Sequence, residues 1–576
     1  MDQVRLWTYV FVILTFGIYI TIAWRSRVKE TKEFYVASRG VNPVANGAAV
    51  AADWMSAASF IGMAGMVAFL GSDGSVYLMG WTGGYVLLAL LLAPYLRKWG
   101  KFTVPEFVGD RYSDLVRVVA AVCAMVISFT YVVGQMTGGG VVFSRFLGLS
   151  AEWAVIATGI VIFFYSVLGG MKGITYTQVA QYTVLIVAYL IPAVAVAQRM
   201  TNIPIPQISY GSILSELDAL RLELGLDRFT EAFVGRDGGQ LDVLLVTASL
   251  MLGTAGLPHV IIRFYTTRTV RGARFSAFWA LLFIALLYLT APAVGAFTNL
   301  NLLQGAKGST EADLPAWIAP WSEAGYVTVN APDGIIESVS NAADSGADLI
   351  VSNDILVLAS PEIGGMPAPI IGLMAAGGMA AALSTAAGLL LVIASAASHD
   401  IYFRMVTKEK APEKQQMLVG RIAMACALVV AIFAGLNPPA FVAQVVAFAF
   451  GLAASTFFPI LILGIFWKRA NGTGAAAGML TGLVFTGGYM LYTLEVFGLS
   501  ANEHILGVSP EGIGAIGAVV NFAVTIVVSK LTRPPRPEIQ EMVESIRYPA
   551  QQAPSAERAA EGAASEGAAS EGSAER

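Results

Sequence analysis

The stretch Val50-Ala51-Ala52-Asp53-Trp54-Met55-Ser56-Ala57-Ala58-Ser59-Phe60-Ile61-Gly62 sets a carboxylate in the middle of an otherwise apolar run near residues 44 to 70. A run that long crosses a bilayer core of about 30 Å as a helix, and a carboxylate at its centre is costly. The residues around it are small or carry hydroxyls, the composition expected where a helix is interrupted and its backbone lines a cavity. Asp53 therefore reads as part of a cation or solute site, with a protonated or paired structural aspartate as the bland alternative. Ser56 or Ser59 is expected to cap the second half-helix.

The rest of the chain repeats the apolar pattern. Hydrophobic residues make up 56% of 576 and charged residues 13%, against about 25% charged in soluble domains. The apolar residues gather into thirteen runs, each long enough to span a membrane. Long runs without strand-like alternation in lipid mean helices, so the expected fold is an all-α polytopic membrane protein with about 13 transmembrane helices. Cys123 and Cys426 both fall inside runs and indicate neither a disulfide framework nor a metal site.

Placing the N-terminus outside and alternating strictly puts 28 of the 35 Lys and Arg on the cytoplasmic side and seven outside, namely Arg5, Arg145, Arg199, Arg221, Arg228, Arg236 and Lys307. That bias follows the positive-inside rule and sets the expected orientation, with the C-terminus in the cytoplasm of a cell inner (plasma) membrane. With the basic residues explained by topology, nucleic acid is not an expected partner. From Thr532 the chain turns polar, through Arg533-Pro534-Pro535-Arg536-Pro537 into Ala-Ala-Ser-Glu-Gly near-repeats, read as a disordered tail. No glycine-rich phosphate cradle with a following lysine occurs, so ATP-driven transport and enzymatic chemistry are not expected.

Two further features lie in the runs. Gly253-Thr254-Ala255-Gly256-Leu257-Pro258-His259 interrupts the seventh, since Pro258 lacks an amide proton and the glycines permit unwinding. In the ninth, Ala381-Ala382-Leu383-Ser384-Thr385 brings two adjacent hydroxyls and a carbonyl three residues earlier into an apolar helix. Hard cations take several oxygen ligands, and such hydroxyls with carbonyls from a broken helix supply them; taken alone, a Ser-Thr pair in a membrane helix is more often a packing device. The second and seventh runs are five apart, so two five-span blocks run in opposite directions, an inverted-topology repeat with paired broken helices.

These residues resemble the sodium/solute symporters. The likeness extends to about residue 530 and is carried by Phe34-Tyr35-Val36-Ala37-Ser38-Arg39-Gly40, Ala52 to Phe60, Thr103-Val104-Pro105-Glu106-Phe107, Gly169-Gly170-Met171-Lys172-Gly173 and Gly256 to Phe264. It is nearest the acetate and monocarboxylate (cation/acetate symporter-like) branch and a two-subunit branch that pairs a large symporter subunit with a small membrane subunit. The resemblance implies a leucine-transporter-like 5+5 inverted repeat with flanking helices. Its divisions would be 1–43, an N-terminal flanking helix and loop; 44–197, the first half; 198–242, an extracytoplasmic loop; 243–466, the second half with the long loop 299–366; 467–531, two flanking helices; and 532–576, the tail.

It also implies sodium ligands, the carbonyls of Ala51, Trp54 and Ala381 and the hydroxyls of Ser384 and Thr385, with Asp53 assisting coupling. Sugar and proline members carry an aspartate where this chain has Gln178, a departure on the implied sodium exit route. For the solute, half-helix amides after Ser56 and near Pro258 offer donors to a carboxylate. Ser56, Ser59, Tyr131, Gln135, Thr254 and His259 complete the candidate solute contacts. No basic side chain is expected in mid-membrane; Arg263 is placed at the cytoplasmic edge, where the positive-inside rule accounts for it, with a gate role as the alternative. The reading is sodium-coupled import of acetate or another short monocarboxylate, with no cofactor beyond sodium as coupling ion. Its partners are the solute, sodium, lipid and, in the second branch, a small membrane subunit. A solute sensor, or a subunit of a two-component complex for another solute, is the competing reading.

Overall fold

The computed structural model describes residues 3–28, 30–100, 102–236, 238–331, 334–342, 345–494 and 504–547. The helices follow in chain order: α1 Gln3–Arg25, α2 Thr31–Val36, α3 Pro43–Trp54, α4 Met63–Leu70, α5 Ser75–Leu87, α6 Ala93–Trp99, α7 Val104–Arg111, α8 Asp114–Leu147 and α9 Ala151–Thr201. The short α10 Pro206–Ser209 and α11 Leu214–Glu223 precede α12 Gly239–Gly256, α13 Pro258–Tyr265, α14 Val270–Tyr288 and α15 Ala291–Ala306. Beyond α16 Ala319–Glu323 and α17 Leu356–Ile363 come α18 Ala368–Ser395, α19 Glu413–Leu436, α20 Val442–Phe466, α21 Gly472–Thr493, α22 Ile513–Leu531 and α23 Pro537–Arg547.

Among the described residues eleven stretches are long and apolar enough to cross a membrane. The thirteen expected runs subdivide them: Ala58–Trp99 turns at Gly71–Gly74, and the shorter apolar helix Ala151–Phe164 precedes a break at Gly170. Gly170 has φ 48°, and a Cβ there would stand 3.0 Å from Phe34 Cδ2, so the break needs a residue free in both respects. α18 is buried along its whole apolar window and packs on α1, α8 and α9, whereas α1 and α19 present apolar residues outward, as helices at the lipid boundary do. Small residues let the central helices approach closely where no hydrophobic effect drives them together.

The segments 198–242 and 299–366 cover one face of the bundle, where Arg221 donates to the last carbonyls of α4, Ala68 O at 2.6 Å and Phe69 O at 2.8 Å. The second segment carries the one departure from all-α structure among the described residues, strands β1 Val327–Val329, β2 Val339–Ser340 and β3 Leu349–Val351, with β3 antiparallel to β1 and parallel to β2. The opposite face carries α23. Its eleven residues correct the expectation of a disordered tail from 532: Val543 and Ile546, one turn apart, are buried against α6 and α20, and Lys468 and Lys98 reach Glu544 and Ser545. The near-repeat composition further along masked that amphipathic turn. The repeats lie outside the described residues.

Candidate functional site

Both expected interruptions are present. α3 ends at Trp54, Met55 leaves the helical region at ψ 60°, and the chain re-enters through a π-helical turn, Ala58–Gly62, into α4. α12 ends at Gly256, Leu257 is extended at ψ 118°, and Pro258 opens α13, where its missing amide proton costs nothing. The first break is not capped by its own serines as expected. Gln135 on α8 accepts from the amide of Ala57 at 3.0 Å, while Ser59 Oγ donates back to Trp54 O at 3.2 Å and lies 2.8 Å from Tyr288 Oη. A neighbouring helix thus holds the opened backbone, which frees Ser56 Oγ to accept from Tyr131 Oη at 3.2 Å.

Against this break lies the middle of α18, in which Ala381, Ser384 and Thr385 are fully buried. Ser384 Oγ donates to Ala52 O at 2.7 Å and lies 3.0 Å from Ala381 O; Thr385 Oγ1 donates to Asp53 O at 2.8 Å. Two hydroxyls and three carbonyls, those of Ala52, Asp53 and Ala381, therefore converge without a formal charge. Ala51 O and Trp54 O are engaged inside their own segment, by the amide of Met55 at 2.8 Å and by Ser59. The hydroxyls thus rest on the two residues lying between the carbonyls expected as ligands. Each hydroxyl spends its proton on a carbonyl and keeps its lone pairs for a cation.

Asp53 faces away from that cluster into a charge-paired polar network, in which Gln178 Oε1 and Arg263 Nη2 make no hydrogen bond among the described residues. Arg263 places Nε and Nη2 each 3.1 Å from Asp53 Oδ2, and Gln178 Nε2 donates to Oδ1 at 3.1 Å and to Ser384 O at 2.8 Å. Arg263 Nη1 also donates to Thr175 Oγ1 at 3.1 Å. The placement of Arg263 at an edge, with no basic side chain in mid-membrane, is corrected here: the residue is 1% exposed and is the counter-ion of Asp53. α13 is held to α3 by Asn46, which donates to Arg263 O at 3.2 Å. Gly388 makes the approach of α18 possible, because a Cβ there would lie 2.6 Å from Asp53 Oδ1.

On the other side of the break the polar atoms are unspent. Gln135 Nε2, Thr254 Oγ1 and His259 Nδ1 are buried without a hydrogen-bond partner among the described residues. Tyr131 stands edge-on to His259 at 5.4 Å and leans on Phe450 at 5.7 Å, and Phe450 in turn meets Trp81 at 5.7 Å. Trp81, Tyr288 and Phe450 did not emerge from the sequence, where single aromatics in apolar runs carry no signal. Tyr77, one turn from Trp81, hydrogen-bonds Glu511 and Arg236 at 3.1 and 2.9 Å, beside a cavity of 190 Å³ on the face of the long loops.

Comparison with known proteins agrees with this geometry. In solved structures, the substrate-bound, outward-open state of a Na+-coupled sialic acid symporter superposes with a TM-score of 0.69 at 16% identity, covering 92% of this chain and 99% of that one. A nucleobase-cation-symport-1 family transporter in a closed conformation superposes at 0.50 and 11% identity, over 89% and 98% of the two chains. These likenesses establish the leucine-transporter-like fold. Among curated proteins, an uncharacterised symporter of Cupriavidus necator is 36% identical over 650 aligned positions, covering 94% of this chain and 93% of that one. A monocarboxylic acid transporter of Corynebacterium glutamicum is 31% identical over 82% and 81% of the two chains. The sodium:solute symporter profile matches residues 34–311 and 341–482. A multi-pass membrane protein with these relatives and this fold belongs to the sodium:solute symporter family.

Proposed function

We propose that the chain couples sodium entry to import of a small monocarboxylate by alternating access, with the N-terminus outside and the face of α23 in the cytoplasm. The observation that carries this reading is that an oxygen cluster lies at the break after Trp54 while buried donors without partners among the described residues lie beside both breaks, which Tyr131 and His259 join at 5.4 Å. Ala52 O, Asp53 O, Ala381 O, Ser384 Oγ and Thr385 Oγ1 suit a hard monovalent cation. Gln135 Nε2, Thr254 Oγ1 and His259, beside Tyr131 and Ser56, suit the acceptor oxygens of a carboxylate. With the Asp53–Arg263 pair neutral overall, the carboxylate takes its charge balance from the adjacent sodium, which makes each ligand a condition for the other.

Sodium bound at the break draws α18 onto α3 and α4, and the solute then fills the donor-lined space before the bundle rocks to release both inside. Ala51 and Trp54 carbonyls complete the cation shell once Met55 and Ser59 shift. The named substrate of the Corynebacterium glutamicum relative supports the carboxylate class. The test is uptake of radiolabelled acetate, pyruvate, lactate and propionate into proteoliposomes holding this chain alone, with and without an inward sodium gradient. Accumulation of one of them that requires sodium is expected; sodium-independent uptake overturns the coupling, and transport of none of the four overturns the substrate class.

A further inference from the structure

The Thr103-Val104-Pro105-Glu106-Phe107 motif has no part in the transport site, yet the structure gives it a partner. α18 continues directly into a π-helical segment, Ala396–Val406, which brings His399 and Asp400 against α7 on the face of α23. π-Helical turns often mark functional positions. Asp400 is fully buried; its Oδ1 accepts from Thr103 Oγ1 at 2.8 Å, and its Oδ2 has no partner among the described residues. His399 is 3% exposed, its Nδ1 lies 3.1 Å from Gln416 Nε2 on α19, and its Nε2 stands 3.5 Å from Glu106 Oε2 without a hydrogen bond. Tyr35, Phe102 and Phe403 box the imidazole at 5.3, 5.5 and 5.8 Å, and Tyr35 Oη lies 2.8 Å from Ser398 Oγ.

The charges around this cluster do not cancel. Glu106 accepts from Arg404 Nη2 at 2.6 Å and from the Phe102 amide at 2.9 Å. Burial works to raise its pKa, but His399, the Phe102 amide and Arg404 outweigh it and hold the group at about 2, so Glu106 stays ionised. Arg404 is shared with Glu409, and Arg117 on α8, the other cation facing Asp400, is spent on Asp110 at 2.8 Å and Asp114 at 3.0 Å. The phenol of Tyr265 on α13 also faces Glu106. Asp400 thus keeps one buried oxygen without a partner among the described residues, while Nε2 of the adjacent imidazole is directed at the ionised Glu106. A single proton taken up there neutralises the buried charge of the cluster, and without it the interior holds an uncompensated negative charge.

We propose that His399 and Asp400 form a proton-binding site, walled by Glu106, whose occupancy fastens the end of α18 to α2, α7 and α19. Proton uptake balances the cluster and locks these elements together; proton loss leaves two carboxylates facing each other and loosens them. Because α18 carries Ser384 and Thr385, pH on this face sets how readily the bundle opens there. Only the assignment of that face to the cytoplasm rests on the orientation proposed above.

The test is hydrogen–deuterium exchange on the purified full chain at about pH 5.5 and about pH 8, on either side of neutrality. After correction for intrinsic rates, exchange in residues 31–36 and 396–406 is expected to rise on the order of tenfold at the higher pH. Asp400→Asn, which mimics the protonated acid, is expected to keep both segments protected at both pH values, and His399→Gln to flatten the response. An unchanged pH ratio in both variants overturns the proposal. Thr103→Val, which removes only the hydroxyl on Oδ1, serves if Asp400→Asn does not fold; it should shift the midpoint of the response, and an unshifted midpoint counts against the site. None of these readouts needs a transported solute. A failed acetate uptake therefore sinks the symport reading alone, and a flat wild-type exchange profile sinks the proton site alone.

Discussion

The two sides of the break after Trp54 lie at one depth and are equally buried, but they differ in how their hydrogen bonds are used. Toward α9 and α13, Asp53, Arg263, Gln178 and Thr175 are joined in one network. Toward α8 and α12, Gln135, Thr254 and His259 keep polar atoms without partners among the described residues. A buried polar atom left unpaired costs about 1–3 kcal/mol, so the second arrangement persists where a ligand or water completes it, whereas the first has its charges paired and lacks hydrogen-bond partners among the described residues at Gln178 Oε1 and Arg263 Nη2. A network built around a paired charge is scaffold, and a set of neutral donors without partners is a binding surface. The charged residues, which stand out most in the sequence, fall on the scaffold side.

The sharpest way to break that division is to remove one partner of the charge-paired side. Arg263→Ala leaves Asp53 as a buried uncompensated carboxylate, for which a loss of about 3–5 kcal/mol is expected. The melting temperature in detergent should collapse, while Asp53→Asn combined with Arg263→Gln should recover much of it without restoring sodium-dependent uptake. If Arg263→Ala melts with the wild type, the pair is not structural and the comparison fails. Gly388→Ala is the next largest perturbation. Its new Cβ would lie 2.6 Å from Asp53 Oδ1, so the carboxylate or α18 must shift. Overpacking of this kind costs about 1–3 kcal/mol, and both stability and sodium affinity should fall together.

On the binding side the effects should separate. Ser384→Ala with Thr385→Ala removes the two hydroxyls proposed as cation ligands and two hydrogen bonds to carbonyls worth about 1 kcal/mol each. The sodium concentration for half-maximal uptake should rise about tenfold, since about 1.4 kcal/mol is a factor of ten, with a fall in melting temperature smaller than that of Arg263→Ala. Gln135→Leu and Thr254→Val should raise the solute KM with the sodium requirement unchanged. A parallel rise in both constants would mean that the two clusters are one site.

These residues also mark what the sequence could and could not convey. The break at Leu257 was legible because proline and glycine weaken a helix wherever they fall in an apolar run, and the one after Trp54 because a carboxylate among small and hydroxyl-bearing residues marks backbone that lines a cavity. Ser384 and Thr385 stood out by oxygen chemistry and spacing only as a minority reading, and the family resemblance, not the residues alone, implied a sodium role for them. Arg263 was misplaced because charge counting assigns basic residues to membrane edges and cannot register a counter-ion 210 positions earlier in the chain. The cap on Ala57 was given to its own serines because local capping rules see only neighbours in sequence, whereas Gln135 is 78 positions away. The order of α23 was missed for a different reason: Val543 and Ile546 form one amphipathic turn beside a polar repeat, and composition averaged over the tail conceals it.

The smallest expected effect tests whether hydrogen-bond number or burial gives Asp53 its weight. Asp348, at the surface of the loop sheet, accepts from the amides of Glu337 and Ser338 and from Ser338 Oγ at 2.9, 3.0 and 2.9 Å, a set as full as that around Asp53. The Glu337 amide above all, with the two Ser338 donors, lowers its pKa below the ordinary carboxylate value. A group lowered in the folded state contributes stability that is present above its unfolded pKa and lost as pH falls through the folded one, so its contribution is intact at neutral pH. Asp348→Asn should nevertheless shift stability by less than about 0.5 kcal/mol, as surface changes do, and leave uptake untouched, because solvent can replace what the side chain gives up. A loss approaching that of Arg263→Ala would mean that saturation of a carboxylate, and not its removal from water, makes a network indispensable.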